Sequence, residues 1–144
     1  MILVDANLLL YAVNEDAPLH DLARRWLEET LSGSTRVGLP WVVILAFLRI
    51  TTRRGIFANP LAPEQALSYV ESWLEQPFVR AVAPGDNHWP VLHNLLASTG
   101  TAGNLTTDAH VAALAIELGC PIYSTDNDFK RFSGVQHHNP LADN

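Results

Sequence analysis

Apolar residues in this chain fall into two alternating patterns: short continuous runs, and longer stretches where they recur every three or four positions. Met1-Ile2-Leu3-Val4 is a run of the first kind and predicts a buried strand ending at Asp5. Leu8-Leu9-Leu10-Tyr11 continues apolar and predicts a short helix. A helix opening at Asp16 or a neighbour runs to about Leu31, with Leu19, Leu22, Ala23, Trp26, Leu27 and Leu31 on one face, and Ser32-Gly33-Ser34 stops it. Arg36 to Pro40 reads as a short strand, Trp41 to about Thr52 as a strongly apolar helix, and Gly55 to Pro63 as a loop. Pro63 suits the first turn of a helix reaching about Glu75, with Ala66, Leu67, Val70, Trp73 and Leu74 inward. Pro77 to Val82 is another strand, and Asn87 to about Ser98 a helix that tolerates Pro90 in its first turn. After a loop over Thr99 to Asn104, Thr106 to Leu118 is a helix closed by Gly119, with Val111, Leu114, Ala115 and Leu118 toward the core. Pro121-Ile122-Tyr123-Ser124 is a further short strand, and the tail from Gln136 to Asn144 adds an edge strand around Val135. Alternating strands and helices define an α/β architecture.

Length and composition narrow this picture. The 144 residues form a single domain, residues 1–144, with material for a sizeable core, and the 48% hydrophobic content is that of a soluble globular fold. No apolar run approaches the ~20 residues of a membrane span, and the N-terminus lacks the basic segment and cleavage site of a signal peptide. With one cysteine, Cys120, the chain fits a reducing cytoplasm, and that thiol, following Gly119 at a helix-to-strand junction, reads as structural. A formal net charge of −6 argues against nucleic-acid binding by bulk electrostatics. The basic residues are grouped, however: Arg49, Arg53 and Arg54 in one stretch, Lys130 and Arg131 in another, which permits local contact with a polyanion.

The charge that matters is acidic. Three short motifs, Val4-Asp5-Ala6-Asn7, Thr106-Thr107-Asp108-Ala109-His110 and Ser124-Thr125-Asp126-Asn127-Asp128-Phe129, put carboxylates at strand and helix ends. In an open parallel α/β sheet, ligands bind beyond the carboxyl ends of the strands, so two strands that finish in Asp place hard oxygen ligands side by side. Carboxylates packed together cannot all ionise without a cation, and an oxygen-only set selects Mg²⁺ or Mn²⁺. Asp5, Asp108, Asp126 and Asp128 are therefore the expected metal ligands, with Asp126 and Asp128 on the same side of an extended segment. Each also has a bland reading: Asp108 as a helix cap, Asp126 and Asp128 as turn residues. Asn7 either orients Asp5 or closes an Asx turn, and Ser124 and Thr125 add hydroxyls that orient a carboxylate or hold metal-bound water. His20, His88 and His93 have no ligand spacing; His137-His138 reads as edge strand; His110 falls on a different helical face from Asp108. Trp26, Trp41, Trp73 and Trp89 read as core residues. No phosphate loop, zinc spacing or nucleophile elbow is present.

Taken together and in this order, the three motifs resemble those of the PIN-domain ribonucleases, above all the VapC toxins of bacterial toxin–antitoxin pairs, of the mycobacterial type. The resemblance covers nearly the whole chain, including Leu45-Ala46-Phe47-Leu48-Arg49 and the closing Asn139-Pro140-Leu141. It implies a PIN-like central parallel sheet of about five strands flanked by helices and an acidic cluster binding Mg²⁺ or Mn²⁺. One position departs from the pattern: family members commonly carry Glu where this chain has Ala46, in a Glu-Phe-Leu-Arg sequence.

The leading expectation is a toxin acting as a metal-dependent endoribonuclease. Asp5, Asp108, Asp126 and Asp128 hold the ion and activate water for attack on a phosphodiester, while Asn7, Thr125, Arg49, Arg53 and Lys130 contact RNA. The alternative is a catalytically weak PIN module that mainly binds RNA or antitoxin, a reading motivated by Ala46. An aspartyl-phosphate phosphatase fits less well, because position 7 is Asn where that chemistry uses Asp. Expected partners are RNA, a small cognate antitoxin docked near Trp26, Trp41 and Phe47, and a second copy of the chain in a homodimer, with no membrane.

Overall fold

The computed structural model describes residues 1–55 and 57–142. Ile56, in the expected loop, and Asp143 and Asn144, at the end of the expected tail, lie outside the described residues. The elements follow the chain as β1 (Ile2–Val4), α1 (Ala6–Val13), α2 (His20–Leu31), β2 (Val37–Pro40), α3 (Trp41–Thr51), α4 (Pro63–Leu74), β3 (Val79–Val82), α5 (His88–Thr99), α6 (Thr106–Leu118), β4 (Ile122–Tyr123) and β5 (His137–His138). Short 3₁₀ turns at Gly103–Leu105 and Asn127–Arg131 complete them.

The strands form one five-stranded sheet in the order β3-β2-β1-β4-β5. Every pairing is parallel. The chain lays down β1, β2 and β3 in one direction and then returns to add β4 and β5 on the other side of β1. The winding therefore reverses between β1 and β4, and a crevice opens at such a reversal beyond the carboxyl ends of the strands. Register confirms which residues meet there: Leu3 pairs with Ile122 and Val4 with Tyr123. The Asp5 amide then donates to the Tyr123 carbonyl at 3.0 Å, so Asp5 and Ser124 leave the sheet side by side.

Burial on both faces explains the composition of the strands, since helices cover a parallel sheet above and below. Leu3, Val4, Val37, Leu39 and Ile122 are fully buried, as are Leu8, Leu9 and Phe47 from the helices that pack on them. Phe47 meets the edge of Trp73 at a ring separation of 4.9 Å, which locks α3 to α4. Trp26 stacks on Tyr123 at 5.8 Å and 15°, tying α2 to β4. Gly38, in the middle of β2, is required by packing: a Cβ there would come 2.7 Å from Leu3 Cδ2 and 2.8 Å from Val82 Cγ2.

Several sequence expectations need correction. The helix expected from Asp16 begins at His20, because residues 14–19 form turns held by contacts such as the Asn14 side chain accepting from the Asp16 amide at 3.1 Å. The edge strand lies at His137–His138, two residues beyond Val135. Asp126 and Asp128 are not on an extended segment: Asp126 caps a 3₁₀ turn and its Oδ1 accepts from the Asp128 amide at 2.8 Å. Trp41 and Trp89 are not core residues but stand 49% and 68% exposed. Leu22, Leu67 and Leu118 also face outward, each at the margin of its helix's apolar stripe. Phe47 cannot line a docking groove, because it is wholly inside.

Histidines that sequence spacing left without a role turn out to join α5 to α6. His88 Nδ1 donates to the Glu117 carboxylate at 2.7 Å, and His88 Nε2 shares a hydrogen bond with His110 Nδ1 at 2.9 Å. The other Glu117 oxygen accepts the Gly85 amide at 3.2 Å. Glu117 and His88 side chains are 11% and 13% exposed, so this chain of bonds works away from water.

The tight spot at Gly38 gives a direct test. Gly38→Ala should lose about 1–3 kcal/mol of unfolding free energy, because the added methyl must displace two packed side chains in the sheet centre. Chemical denaturation of the purified variant measures the loss.

Candidate active site

The site is built from the loop after β1, the turn after β4 and the first turn of α6. Asp5 leaves β1 in an extended conformation, and its side chain caps α1 by accepting from the Ala6 amide at 2.8 Å. Ser124, fully buried, is the hub of the crevice. Its hydroxyl donates to Asp5 Oδ2 at 2.7 Å and accepts from Asn7 Nδ2 at 3.1 Å and from the Asp126 amide at 3.0 Å. Asn7 Oδ1 in turn accepts the Thr125 amide at 3.4 Å. One side chain thus fixes the spacing between the two Asp-bearing loops.

Asp108, in the first turn of α6, completes the arrangement. Ligand oxygens of Asp108, Asp126 and Asp128 lie within 4.8 Å of one another. Asp5 sits behind them, close enough that its charge acts on both Asp126 and Asp108. All four carboxylates expected from the sequence are therefore brought together. Their mutual repulsion leaves a measurable mark: burial, then Asp126, Asp5 and Asp128, push the Asp108 carboxyl up to about 6. Burial also raises Asp5, against the opposing hydrogen bonds from Ser124 and Ala6.

The polar and basic residues divide. Asn7 and Thr125 are inside the network just described. Lys130, exposed, lies in the same 3₁₀ turn as Asp128, and Arg131 approaches Asp128 Oδ1 at 3.9 Å. Arg49 and Arg53 are exposed at the far end of α3. Ala46, half-buried in mid-α3, contributes no oxygen. His110 turns away to His88. Cys120 is half-buried at the opposite edge of the sheet, and burial raises its thiol, as befits an inert structural residue.

The hydroxyl of Ser124, which the sequence offers beside that of Thr125 for orienting a carboxylate, is the one that reaches Asp5. The available signal was its place as the last residue of an apolar strand that ends level with Asp5.

A parallel sheet with an acidic crevice at its switch point defines the class of α/β domain, and comparison with known proteins assigns its family. The PIN domain family model matches residues 2–135. Ribonuclease VapC37 of Mycobacterium tuberculosis is 46% identical over 142 residues, covering 99% of both chains. Ribonuclease VapC33 of the same organism is 42% identical over 143 residues, covering 99% of this chain and 100% of that one. Among solved structures, VapBC2 of Rickettsia felis, bound to a DNA fragment from its promoter, superposes with a TM-score of 0.70 at 18% identity, over 96% of this chain and 98% of that one. Mycobacterium tuberculosis VapC20, a sarcin-ricin loop cleaving toxin, gives 0.69 at 19% identity over 94% and 99%. The chain belongs to the PIN-domain family and, within it, to the VapC proteins.

The raised Asp108 carboxyl carries a stability signature. A carboxyl whose folded value exceeds its unfolded one holds its proton more tightly when folded, so the cation-free protein loses stability as pH rises from 3.8 through about 6. Asp108→Asn, which cannot ionise, should be more stable than the parent at neutral pH in chelator by about 1 kcal/mol, a modest figure because the group is partly open to solvent. The gap should close in acid. Thermal melts of both proteins across this pH range check it.

Proposed function

We propose that this protein is the toxin of a toxin–antitoxin pair and acts as an endoribonuclease dependent on Mg²⁺ or Mn²⁺. One observation carries the reading: three carboxylate oxygens within 4.8 Å of one another, with a fourth carboxylate behind them, at the switch point of a parallel sheet. Among the described residues no imidazole or thiolate joins that group, and an all-oxygen set suits a hard divalent cation. Asp5, Asp108, Asp126 and Asp128 would hold the ion. When bound, it supplies positive charge at the phosphodiester and lowers the pKa of water.

The chain's own residues do the positioning. Ser124 and the Ala6 amide hold the Asp5 carboxylate in a fixed orientation before any ligand arrives. The Ser124 hydroxyl is buried and commits its proton to Asp5, so it is no nucleophile, and water is left to attack. Thr125 and Lys130 border the acids and contact the near phosphates. Asn7 acts through Ser124 and Thr125. Arg49 and Arg53, exposed at the end of α3, meet the RNA backbone. RNA as substrate is supported by the names of the relatives, which are ribonucleases.

The same reading assigns partners. Solved relatives include VapBC assemblies, which supports a small antitoxin. A groove of about 510 Å³, lined by Ala12, His20, Leu27, Tyr69 and Trp73 among others, suits an amphipathic antitoxin helix. The exposed face of α3, with Trp41 and Leu45, is the surface we assign to a homodimer. A cytoplasmic location agrees with the single free thiol, and among the described residues no helix is long and apolar enough to cross a membrane.

Asp5→Asn and Asp108→Asn should each reduce Mn²⁺-dependent cleavage of a mixed RNA pool below about a hundredth of the parent rate while the fold is retained. Undiminished cleavage by either variant would remove that residue from the ligand set.

The second reading, a weakly catalytic binding module, is favoured by Ala46, where a family carboxylate is missing. Ala46→Glu adds an oxygen to the set, and Mn²⁺ affinity and cleavage at low Mn²⁺ should both rise, because ligand charge tunes hard-cation binding. If calorimetry shows no gain and the variant is destabilised, this helix does not address the site.

A further inference from the structure

The inference concerns His137, and it rests on the cluster being a divalent-cation site. Among the described residues, His137 Nδ1 is the buried side-chain polar atom without a hydrogen-bond partner. Its other ring nitrogen, Nε2, lies 2.8 Å from the Ser124 carbonyl oxygen. A carbonyl can only accept, so Nε2 carries a proton, while Nδ1 is a buried ring nitrogen with no partner. Native proteins contain few such groups, and each costs stability. The ring also stacks on Phe129, with centroids 6.0 Å apart and planes at 29°, a contact that a phenylalanine would make without the cost.

The ladder between β4 and β5 explains what the ring supplies. The Ile122 amide donates to the Gln136 carbonyl at 2.9 Å, and the Ser124 amide to the His138 carbonyl at 3.0 Å. In a parallel ladder the next bond runs from the amide two residues further along β5 back to the Ser124 carbonyl. That residue is Pro140, which has no N–H. The carbonyl would be orphaned at the point where the chain turns into the acidic site, and the His137 ring takes the place of the missing donor. The Ser124–Thr125 peptide is thereby held on the β5 side. The same peptide carries the Thr125 amide to Asn7, and its serine carries the hydroxyl that binds Asp5 and the Asp126 amide.

We propose that His137 is a positioning residue of the acidic site: its Nε2–H replaces the ladder donor that Pro140 lacks and fixes the Ser124–Thr125 peptide from which Asp5 and Asp126 take their spacing. It touches neither substrate nor ion. Its unsatisfied Nδ1 is stability given up for that geometry.

The test uses the full chain and two readouts, amide hydrogen exchange at Asp126 without metal and calorimetric titration of Mn²⁺. His137→Phe keeps the stack on Phe129 and removes the donor. It should exchange about tenfold faster at Asp126 and bind Mn²⁺ about tenfold more weakly, the scale seen when outer-shell partners of a metal site are lost, without a matching fall in melting temperature. His137→Gln retains an N–H at the same reach and should stay near the parent. Pro140→Ala restores a ladder N–H, so the double variant His137→Phe/Pro140→Ala should recover both readouts. Parent-like exchange and Mn²⁺ affinity in His137→Phe would overturn the proposal. If that single variant does not fold, the double variant decides: recovery of both readouts supports the role, and loss of either overturns it. A parent that binds no Mn²⁺ while His137→Phe still loosens Asp126 would refute the metal reading and leave the positioning role standing.

Discussion

The pairing of β1 with β4 brings Asp5 to Ser124, residues 119 positions apart in sequence, within 2.7 Å of each other. Two backbone ladders and one hydroxyl fix that approach, and nothing else at the crevice would have a defined geometry without it. Asp126 is placed by the same serine, and Asp128 by the cap that Asp126 makes. Asp108 arrives independently on α6, which packs through Val111, Leu114 and Ala115 against the core. The site is therefore assembled by the sheet and completed by a helix, and its acids share no flexible loop of any length.

This arrangement opposes the electrostatics of the folded chain. Burial and the neighbouring carboxylates raise the proton affinity of Asp108 and of Asp5. The fold tolerates it because the crevice is small beside the apolar core beneath, where fully buried strand residues are capped by Phe47 and Phe129. Repulsion of this kind is what a cation or a basic partner group would relieve, so the protein without either is the less comfortable state. Stability and readiness for a ligand are set against each other at the same residues.

Much of this was legible in the sequence. Apolar runs marked β1, β2 and β4, and the carboxylates at their ends pointed to the crevice, because strand ends in a parallel sheet face one edge. Gly119 and Pro63 set helix limits through backbone preferences that depend little on context. The tryptophans were misjudged for a physical reason: periodicity reports a stripe, yet Trp41 and Trp89 open their helices, where one turn can leave the core entirely. The Glu117–His88–His110 chain joins two helices in space, and no spacing within either helix announces it. His137 and the particular partners of Ser124 escaped for the same reason, since they come from strand pairing and from a proline on the neighbouring strand. Local preference reads along the chain; these residues act across it.

The order of the strands also governs when the protein can become active at all. During synthesis β1 is the first strand to leave the ribosome, but its partner β4 follows more than a hundred residues later, and Asp126 and Asp128 later still. Long-range parallel pairing is slow to form even in a complete chain. A nascent or truncated polypeptide therefore carries Asp5 with nothing opposite it, and whatever chemistry the crevice performs is withheld until the chain has been made through Asp128. The topology itself thus withholds the crevice from an unfinished copy of the chain.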